Sequence, residues 1–167
     1  MRGFAHCYGD DINTDYIIAG KYRSICLDMK EMAVHVMEDL DPEFIKKVKP
    51  GDIIVAGKNF GCGSSREYAP KVIMEAGISL IIAPSFGRIF YRNSINSGLP
   101  LIECNTEGFH SGDELVVDLL EGNLQNLTQK TRVQFKKIPS FMMTIIQAGG
   151  MIGYIQKYGS IDVERIC

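Results

Sequence analysis

Residues 57–67, which read Gly-Lys-Asn-Phe-Gly-Cys-Gly-Ser-Ser-Arg-Glu, constrain the fold more than any other part of the chain. An apolar run of strand length, residues 52–56, precedes them. A helical spacing of apolar residues follows, formed by Ala69, Val72, Ile73 and Ala76. The pattern predicts a strand, a glycine-rich turn and a helix that begins directly after the turn. Backbone N–H groups and the positive end of the helix dipole would then favour an anion.

The same stretch has two interpretations, a helix cap and an anion-binding site. Ser64 and Glu67 fit a capping box, in which Ser64 is the N-cap. A cap requires neither Ser65 nor Arg66, whereas a guanidinium fork is suited to binding a carboxylate. We therefore favour an anion site. Its backbone would come from Gly61, Cys62 and Gly63, because glycines let a ligand approach the chain closely.

The composition is that of a globular protein without a nucleic-acid or membrane surface. The 167 residues are 46% hydrophobic, which suits one domain with its own core over residues 1–167, and the net charge is −2. No block of Lys and Arg exceeds two residues, and no apolar run approaches transmembrane length. Because the N-terminus lacks the apolar region of a signal peptide, we expect a cytoplasmic protein.

The cysteines argue against a disulfide framework and against a self-contained metal site. They are odd in number and widely scattered, with no Cys-x-x-Cys pair. We expect free and mostly buried thiols at Cys7, Cys26, Cys62, Cys104 and Cys167.

The elements after the glycine-rich stretch indicate an α/β fold. Apolar strands at 79–83 and 99–103 flank a helix, so strand and helix alternate as in a parallel βαβ unit. Pro100 places the later strand at a sheet edge or at its own start. Three short strands in the region 114–137 suggest an antiparallel meander. Two helices, 139–148 and 151–158, end the chain.

The segments before that stretch give weaker patterns. A short strand at 4–8 leads into a polar turn at 9–15. Residues 21–27 show no clean period, which predicts a loop. Asp28 with Glu31 predicts a helix start, and so does Asp41 followed by proline.

Four motifs together resemble the swivelling domain of the aconitase family. Besides 57–67, they are Asn-Thr-Asp-Tyr-Ile-Ile-Ala-Gly at 13–20, Pro-Ser-Phe-Gly-Arg-Ile-Phe-Tyr-Arg-Asn-Ser-Ile-Asn-Ser-Gly-Leu-Pro at 84–100, and the helix at 139–150. In length the chain is similar to the small subunits of 3-isopropylmalate dehydratases and homoaconitase-like enzymes, in which this domain is a separate polypeptide. The resemblance implies a single swivelling β/β/α domain with a mostly parallel central sheet, additional antiparallel strands and flanking helices.

The resemblance also implies a division of labour between two chains. A large subunit would carry a [4Fe–4S] cluster, and this chain would bind no cofactor or metal itself. Cys62 would be a loop residue and not a cluster ligand. The partner would form a heterodimer or heterotetramer with this chain. Arg88, Arg92 and Asn96 would either face the site or contact that partner, and we favour the contact.

Roles for single residues follow from the same resemblance. Ser64 would be the base that removes a proton α to a carboxylate. Ser65 and Arg66 would hold a substrate carboxylate, and Asp15 would position groups of the site. Arg23 falls in the segment that contacts the variable part of the substrate.

The exact substrate stays open at this point. In the substrate-reading segment this chain reads Tyr-Arg-Ser-Ile at 22–25, where some members read Tyr-Leu-Arg-Thr. The first choice is 2-isopropylmalate, which such enzymes convert to 3-isopropylmalate in leucine biosynthesis. Homocitrate, citramalate or citraconate, and dimethylmalate are alternatives. A different class of function, a non-catalytic anion-binding regulatory module, would use the same glycine-rich loop.

Overall fold

Seven β-strands form one mixed sheet in the computed structural model, which describes residues 1–160. The strands are β1 (Arg2–Cys7), β2 (Ile53–Val55), β3 (Leu80–Ala83), β4 (Leu101–Glu103), β5 (Glu114–Asp118), β6 (Asn123–Asn126) and β7 (Thr131–Gln134). Their order across the sheet is β4-β3-β2-β1-β5-β6-β7. β1 therefore lies in the middle, parallel to β2 on one side and antiparallel to β5 on the other.

Short helices connect the strands and end the described part of the chain. They are α1 (Thr14–Ile17), α2 (Tyr22–Ile25), α3 (Met29–Ala33), α4 (Phe44–Lys47), α5 (Ala69–Glu75), α6 (Arg88–Ser97), α7 (Ser140–Gln147) and α8 (Met151–Tyr158). α1, α2 and α4 are single turns of four residues each. Within residues 1–160 no helix has the length and apolar content that a membrane span requires.

The two halves of the sheet agree with the predicted topology. β2, α5, β3, α6 and β4 form the expected parallel unit, in which Ile54 pairs with Ile81 and Ile82 with Ile102. β4 follows Pro100 and lies at the edge of the sheet, as that proline predicts. β5, β6 and β7 form the predicted antiparallel meander.

The core is divided between the two faces of the sheet. Because successive side chains of a strand point to opposite faces, Ile54 and Ile81 pack with the helices α3, α5 and α6 on one face. Ile53 and Leu80 pack on the other face, where the antiparallel strands contribute Leu124. The helix-covered face carries the larger cluster, and the loops that follow β1 and β2 lie at its edge.

Two local predictions near the glycine-rich stretch are wrong. The helix that was predicted to begin directly after the glycine-rich turn is α5, and it begins only at Ala69, after the N-cap Tyr68. This also excludes the alternative interpretation of Ser64 and Glu67 as a capping box. Residues 22–25 form the helical turn α2, although 21–27 gave no helical period. Only Tyr22 of that turn is buried, and one buried residue cannot produce a period.

The other predicted helix starts are closer to the structure. The Asp28 carboxylate accepts the Glu31 N–H at 2.9 Å, as an N-cap does. Glu31 in turn accepts the N–H of Leu27 at 2.8 Å. Asp41 lies before α4, but the N-cap of that helix is Glu43.

Candidate active site

The loop after β2 is braced by the segment that opens α1. We call residues 61–66 the serine loop. The Thr14 N–H donates to the carbonyl of Cys62, and the Thr14 hydroxyl donates to the carbonyl of Ser64, both at 2.9 Å. The Gly61 N–H donates to the carbonyl of Ile12 at 2.7 Å. Thr14 is buried, so water does not compete for these bonds. They fix the serine-loop backbone and leave the Ser64 side chain free.

Gly61 allows the serine loop to lie directly on α6. Its φ is +76°, and a Cβ atom there would be 2.2 Å from Cγ of Phe90. A Cβ on Gly87 would be 2.5 Å from the Gly61 carbonyl oxygen. The space next to Gly61 that was predicted for a ligand is therefore occupied by α6. Since the Gly61 N–H is also in use, Cys62 and Gly63 remain as backbone candidates for anion binding.

Asp15 and Arg66 form an ion pair across the site. Arg66 Nη2 lies 2.5 Å from Asp15 Oδ1, and Nη1 donates to the Ile18 carbonyl at 3.3 Å. The Arg66 side chain is 14% exposed and the Asp15 side chain 60%. A Cβ on Gly20 would be 3.2 Å from Arg66 Nη2, so the chain after α1 packs against the guanidinium. The pair orients Arg66 before any substrate binds.

Ser64 and Ser65 are exposed, and neither hydroxyl has a hydrogen-bond partner among residues 1–160. Because α5 begins at Ala69 and has seven residues, the serine loop is not the helix N-terminus that the sequence predicted. No helix dipole can therefore be invoked for Ser64. The electrostatic contribution at this point comes from Arg66.

Arg23 lies on α2, three residues after Gly20, which packs against the Arg66 guanidinium. It is exposed and forms no ion pair within the described chain. Tyr22 points the other way: it is 6% exposed, stacks on His35 and donates to Glu38 at 2.6 Å. Ile25 and Leu27 are exposed apolar side chains, 67% and 90% respectively. The segment 21–27 thus exposes two cations, Lys21 and Arg23, and two apolar side chains.

A cleft of about 680 Å³ opens beside Ser65. One wall is the face of α6 that carries Arg92, Asn93 and Asn96, and another is the start of α8. Two of the three residues that the sequence assigned to a subunit contact, Arg92 and Asn96, therefore lie next to the serine loop, whereas Arg88 does not line the cleft.

Comparison with known proteins identifies the family. The profile of the Aconitase C-terminal domain matches residues 15–107. The chain belongs to the aconitase family. The 3-isopropylmalate dehydratase small subunit 2 of Archaeoglobus fulgidus is 52% identical over 163 residues, which are 98% of this chain and 99% of that protein. The isopropylmalate/citramalate isomerase small subunit of Methanocaldococcus jannaschii is 51% identical and is covered to 94%, as is this chain.

A solved structure agrees with this assignment. The crystal structure of 3-isopropylmalate dehydratase (LeuD) from M. jannaschii superimposes with a TM-score of 0.91 at 43% identity, and 98% of each chain is covered. The predicted aconitase-family membership, α/β fold and assignment to hydro-lyase small subunits are confirmed. The three similar segments quoted from the first hundred residues lie almost wholly within the profile match.

Sequence reasoning missed two residues of the candidate site. Thr14 braces the serine loop, yet the sequence showed only a polar turn there. Asn93 lines the cleft from the buried side of α6. It follows Phe90 by three residues, and a polar residue on an apolar helix face was the available signal. Thr14 had no such signal, because its partners lie about fifty residues away.

Cys62 lies in the serine loop as a thiol. Burial raises its pKa, with a smaller contribution from the charge of Asp11, so it is protonated at neutral pH. The four cysteines within residues 1–160 are free, and Cys167 lies outside the described residues. In that part of the chain no three His, Cys, Asp or Glu side chains are grouped to hold a metal ion.

Proposed function

We propose that this chain is the small subunit of an iron–sulfur hydro-lyase that isomerises 2-isopropylmalate to 3-isopropylmalate with a large subunit. The observation that carries the proposal is the braced serine loop, in which exposed Ser64 lies next to an Arg66 oriented by Asp15. Support comes from relatives named as 3-isopropylmalate dehydratase small subunits, which match over nearly the whole chain.

Ser64 is the base of the proposed reaction. Its hydroxyl oxygen, as the alkoxide, takes a proton from the carbon α to one carboxylate while the hydroxyl leaves the neighbouring carbon. The proton returns to the other carbon when water is added back. An alkoxide is costly to form in water, so the site must be dry and cationic. Ser64 is exposed in this chain alone, and closure therefore falls to the large subunit.

Arg66 and Ser65 bind the carboxylate next to the proton that is removed. Charge moves onto that carboxylate as the proton leaves, and a pre-oriented guanidinium stabilises it without reorganisation. Asp15 is a positioning residue, because it holds Arg66 and contacts no reacting atom in this account. The Asp15 carboxylate also lowers the net positive charge of the Asp15–Arg66 pair. A substrate carboxylate can therefore bind to Arg66 and still dissociate.

We expect the [4Fe–4S] cluster on the large subunit, as the family resemblance implies. It would supply a Lewis-acidic iron for the departing hydroxyl group. The described cysteines of this chain are dispersed and offer no ligand set for it. The assembly into a heterodimer or heterotetramer, the cytoplasmic location and the single domain over residues 1–167 are further parts of the proposal.

Citramalate and its dehydration product citraconate are the second candidate substrates. The M. jannaschii relative is named for both isopropylmalate and citramalate. A methyl in place of an isopropyl group changes apolar binding by only about 1–3 kcal/mol, so one pocket can accept both. Ile25 and Leu27 supply the exposed apolar surface for such a substituent. Homocitrate would instead require Arg23 for its additional carboxylate, whereas the methyl groups of dimethylmalate would contact Ile25 and Leu27.

The test is co-purification with a large subunit followed by assay. The full chain is co-expressed with an aconitase-family large chain, purified without oxygen and given 2-isopropylmalate, citramalate, dimethylmalate and homocitrate. We expect a stable complex that turns over 2-isopropylmalate fastest. A complex that binds these acids but converts none of them would favour the non-catalytic anion-binding module.

A further inference from the structure

The segment 35–38, which follows α3, forms a closed cluster of contacts with Tyr22 of α2. The Tyr22 hydroxyl donates to Glu38 Oε1 at 2.6 Å, and its ring stacks on His35 with the centroids 3.9 Å apart and the planes at 9°. Nδ1 of His35 is hydrogen-bonded to Oε2 of the same carboxylate. Because Tyr22 is the buried residue of α2, this cluster attaches the turn to the rest of the molecule.

The Glu38 carboxylate is the acceptor in both hydrogen bonds. The bond from Tyr22, and then the bond from His35, lower the pKa of Glu38, so the side chain is ionised at neutral pH. A carboxylate has no proton to donate, and His35 therefore carries a proton on Nδ1. Hydrogen bonds to a charged group are the stronger and more directional ones. Loss of this one acceptor would release both donors.

The residue before Glu38 holds α1. The Met37 N–H donates to the carbonyl of Ile17, the last residue of α1, at 2.9 Å. Met37 is fully buried and has a φ of +60°, which a residue with a bulky side chain rarely adopts. Such a backbone conformation costs free energy and persists only where its surroundings impose it. Here it lets residue 37 bond to α1 and residue 38 bond to α2.

α1 and α2 carry different parts of the candidate site. Asp15 of α1 pairs with Arg66, and α2 exposes the apolar side chain of Ile25. Residues 18–21 connect the two helices. Since the segment 35–38 is bonded to both helices, it sets their relative position from outside the site.

We propose that Glu38 is a positioning residue for substrate choice, which through Tyr22 fixes the apolar side chains of α2 relative to Arg66. This inference rests on the proposed function, in which the segment 21–27 contacts the substituent that distinguishes 2-isopropylmalate from citramalate. Glu38 contacts no reacting atom in this account. Its loss should therefore weaken the binding of the isopropyl group and leave the chemistry common to both substrates intact.

The test compares variants of the full chain in the complex with its large subunit. Glu38→Ala removes the acceptor, and Tyr22→Phe removes the donor but keeps the ring. Glu38→Gln is the conservative variant, because its amide oxygen can still accept from the Tyr22 hydroxyl. Glu114→Ala is the matched control. That carboxylate is 29% exposed, against 37% for Glu38, and it accepts from Arg2 at 2.8 Å in the antiparallel part of the sheet.

We expect the ratio of kcat/KM for 2-isopropylmalate to that for citramalate to fall about tenfold in Glu38→Ala and in Tyr22→Phe, because the isopropyl group loses a fixed apolar contact. The fall should come from a higher KM for 2-isopropylmalate, with kcat within about threefold of the original value. The ratio should stay within about twofold in Glu38→Gln and Glu114→Ala. The double variant of Glu38→Ala and Tyr22→Phe should be no worse than either single one, since both act through one bond.

Three results would overturn the positioning role. The first is an unchanged ratio in Glu38→Ala. The second is an equal fall of kcat for both substrates, which a general loss of structure would produce. The third is a Glu38→Gln variant as altered as Glu38→Ala, because the acceptor for Tyr22 is then still present.

Amide hydrogen exchange of the full chain separates this inference from the proposed function, because it requires no turnover. The N–H groups of Arg23 and Cys26 are hydrogen-bonded at the start and the end of α2. In Glu38→Ala they should exchange about tenfold faster, while those of Ala56 and Ile81, bonded between parallel strands, keep their rates.

Unchanged exchange in α2, or the same acceleration in α2 and in the strands, would overturn the inference. Acceleration confined to α2 in a complex that isomerises none of the acids would support the attachment of α2 by Glu38 and would count against the proposed function alone.

Discussion

At the scale of the residue, Ser64 combines a fixed backbone with a free side chain. Thr14 holds its carbonyl, and nothing in residues 1–160 holds its hydroxyl. We expect Ser64→Ala to lower kcat by about 10²–10⁴-fold or more, because the general base is lost, and to leave the Tm unchanged. Turnover and thermal unfolding are measured on the same preparation. A variant that keeps its full turnover, whatever its stability, would contradict the role of Ser64 as the base.

Single residues also show how far the sequence could lead. Asp15, Ser64 and Arg66 were named from their motifs, and the structure brings Asp15 and Arg66 into contact. The brace from Thr14 could not be predicted, since it depends on how a turn after β1 meets a loop after β2. Burial of Tyr22 was missed for a related reason: its partner Glu38 lies in a segment without regular structure.

At the scale of the element, α2 exposes the side chains of Arg23 and Ile25, whereas the buried Tyr22 side chain anchors the turn. Arg23 is exposed and forms no hydrogen bond or ion pair within residues 1–160, so Arg23→Leu should leave the Tm unchanged. In the complex with the large subunit, we expect kcat/KM for homocitrate to fall about 10- to 100-fold relative to 2-isopropylmalate, because a third carboxylate loses its charged partner. Lys30→Leu on α3 is the control. The same substrate ranking in all three proteins would remove this segment as the specificity element.

Elements with a continuous apolar pattern were predicted well, and those defined by distant contacts were not. Ile53 to Val55 and Leu80 to Ala83 are buried on both faces, so their sequences are apolar throughout. The start of α5 was misplaced because Ser64 and Glu67 satisfy a local rule that the brace from Thr14 overrides. The sequence predicted the stop at Gly149 and Gly150, but not that these glycines would seat α8 beside Asn96.

At the scale of the whole molecule, two buried carboxylates hold β1 on its two sides. Asp52 accepts hydrogen bonds from His6 and from the N–H groups of Phe4 and Lys49. Asp113 accepts the His110 N–H and the amides of Asn126 and Gln129, and its carbonyl accepts the Ala5 N–H. Burial would raise the pKa of each carboxyl, but these hydrogen bonds outweigh it and lower both pKa values below the ordinary 3.8.

The lowered pKa values predict a loss of stability in acid. A group with a depressed folded pKa contributes its stability fully above the unfolded pKa and loses it as the pH falls through the folded pKa. We expect the Tm to be nearly constant from pH 7 to about 5 and to fall below about pH 4. The double variant Asp52→Asn, Asp113→Asn should be less stable at pH 7 and less sensitive to acid. Asp39→Asn, at an exposed site, is the control; an identical acid response in all proteins would contradict the prediction.

The middle position of β1 also determines when the sheet can be completed. Ala5 pairs with Ile53, and Gly3 pairs with Leu115, so β1 leaves the ribosome before both of the strands with which it pairs. Pairings between such distant segments slow folding, because long loops must close before the contacts form. Until β5 has been synthesised, one edge of β1 stays open to pairing with another nascent chain. Completion of the fold is therefore a late event in synthesis, and aggregation competes with it mainly during that interval.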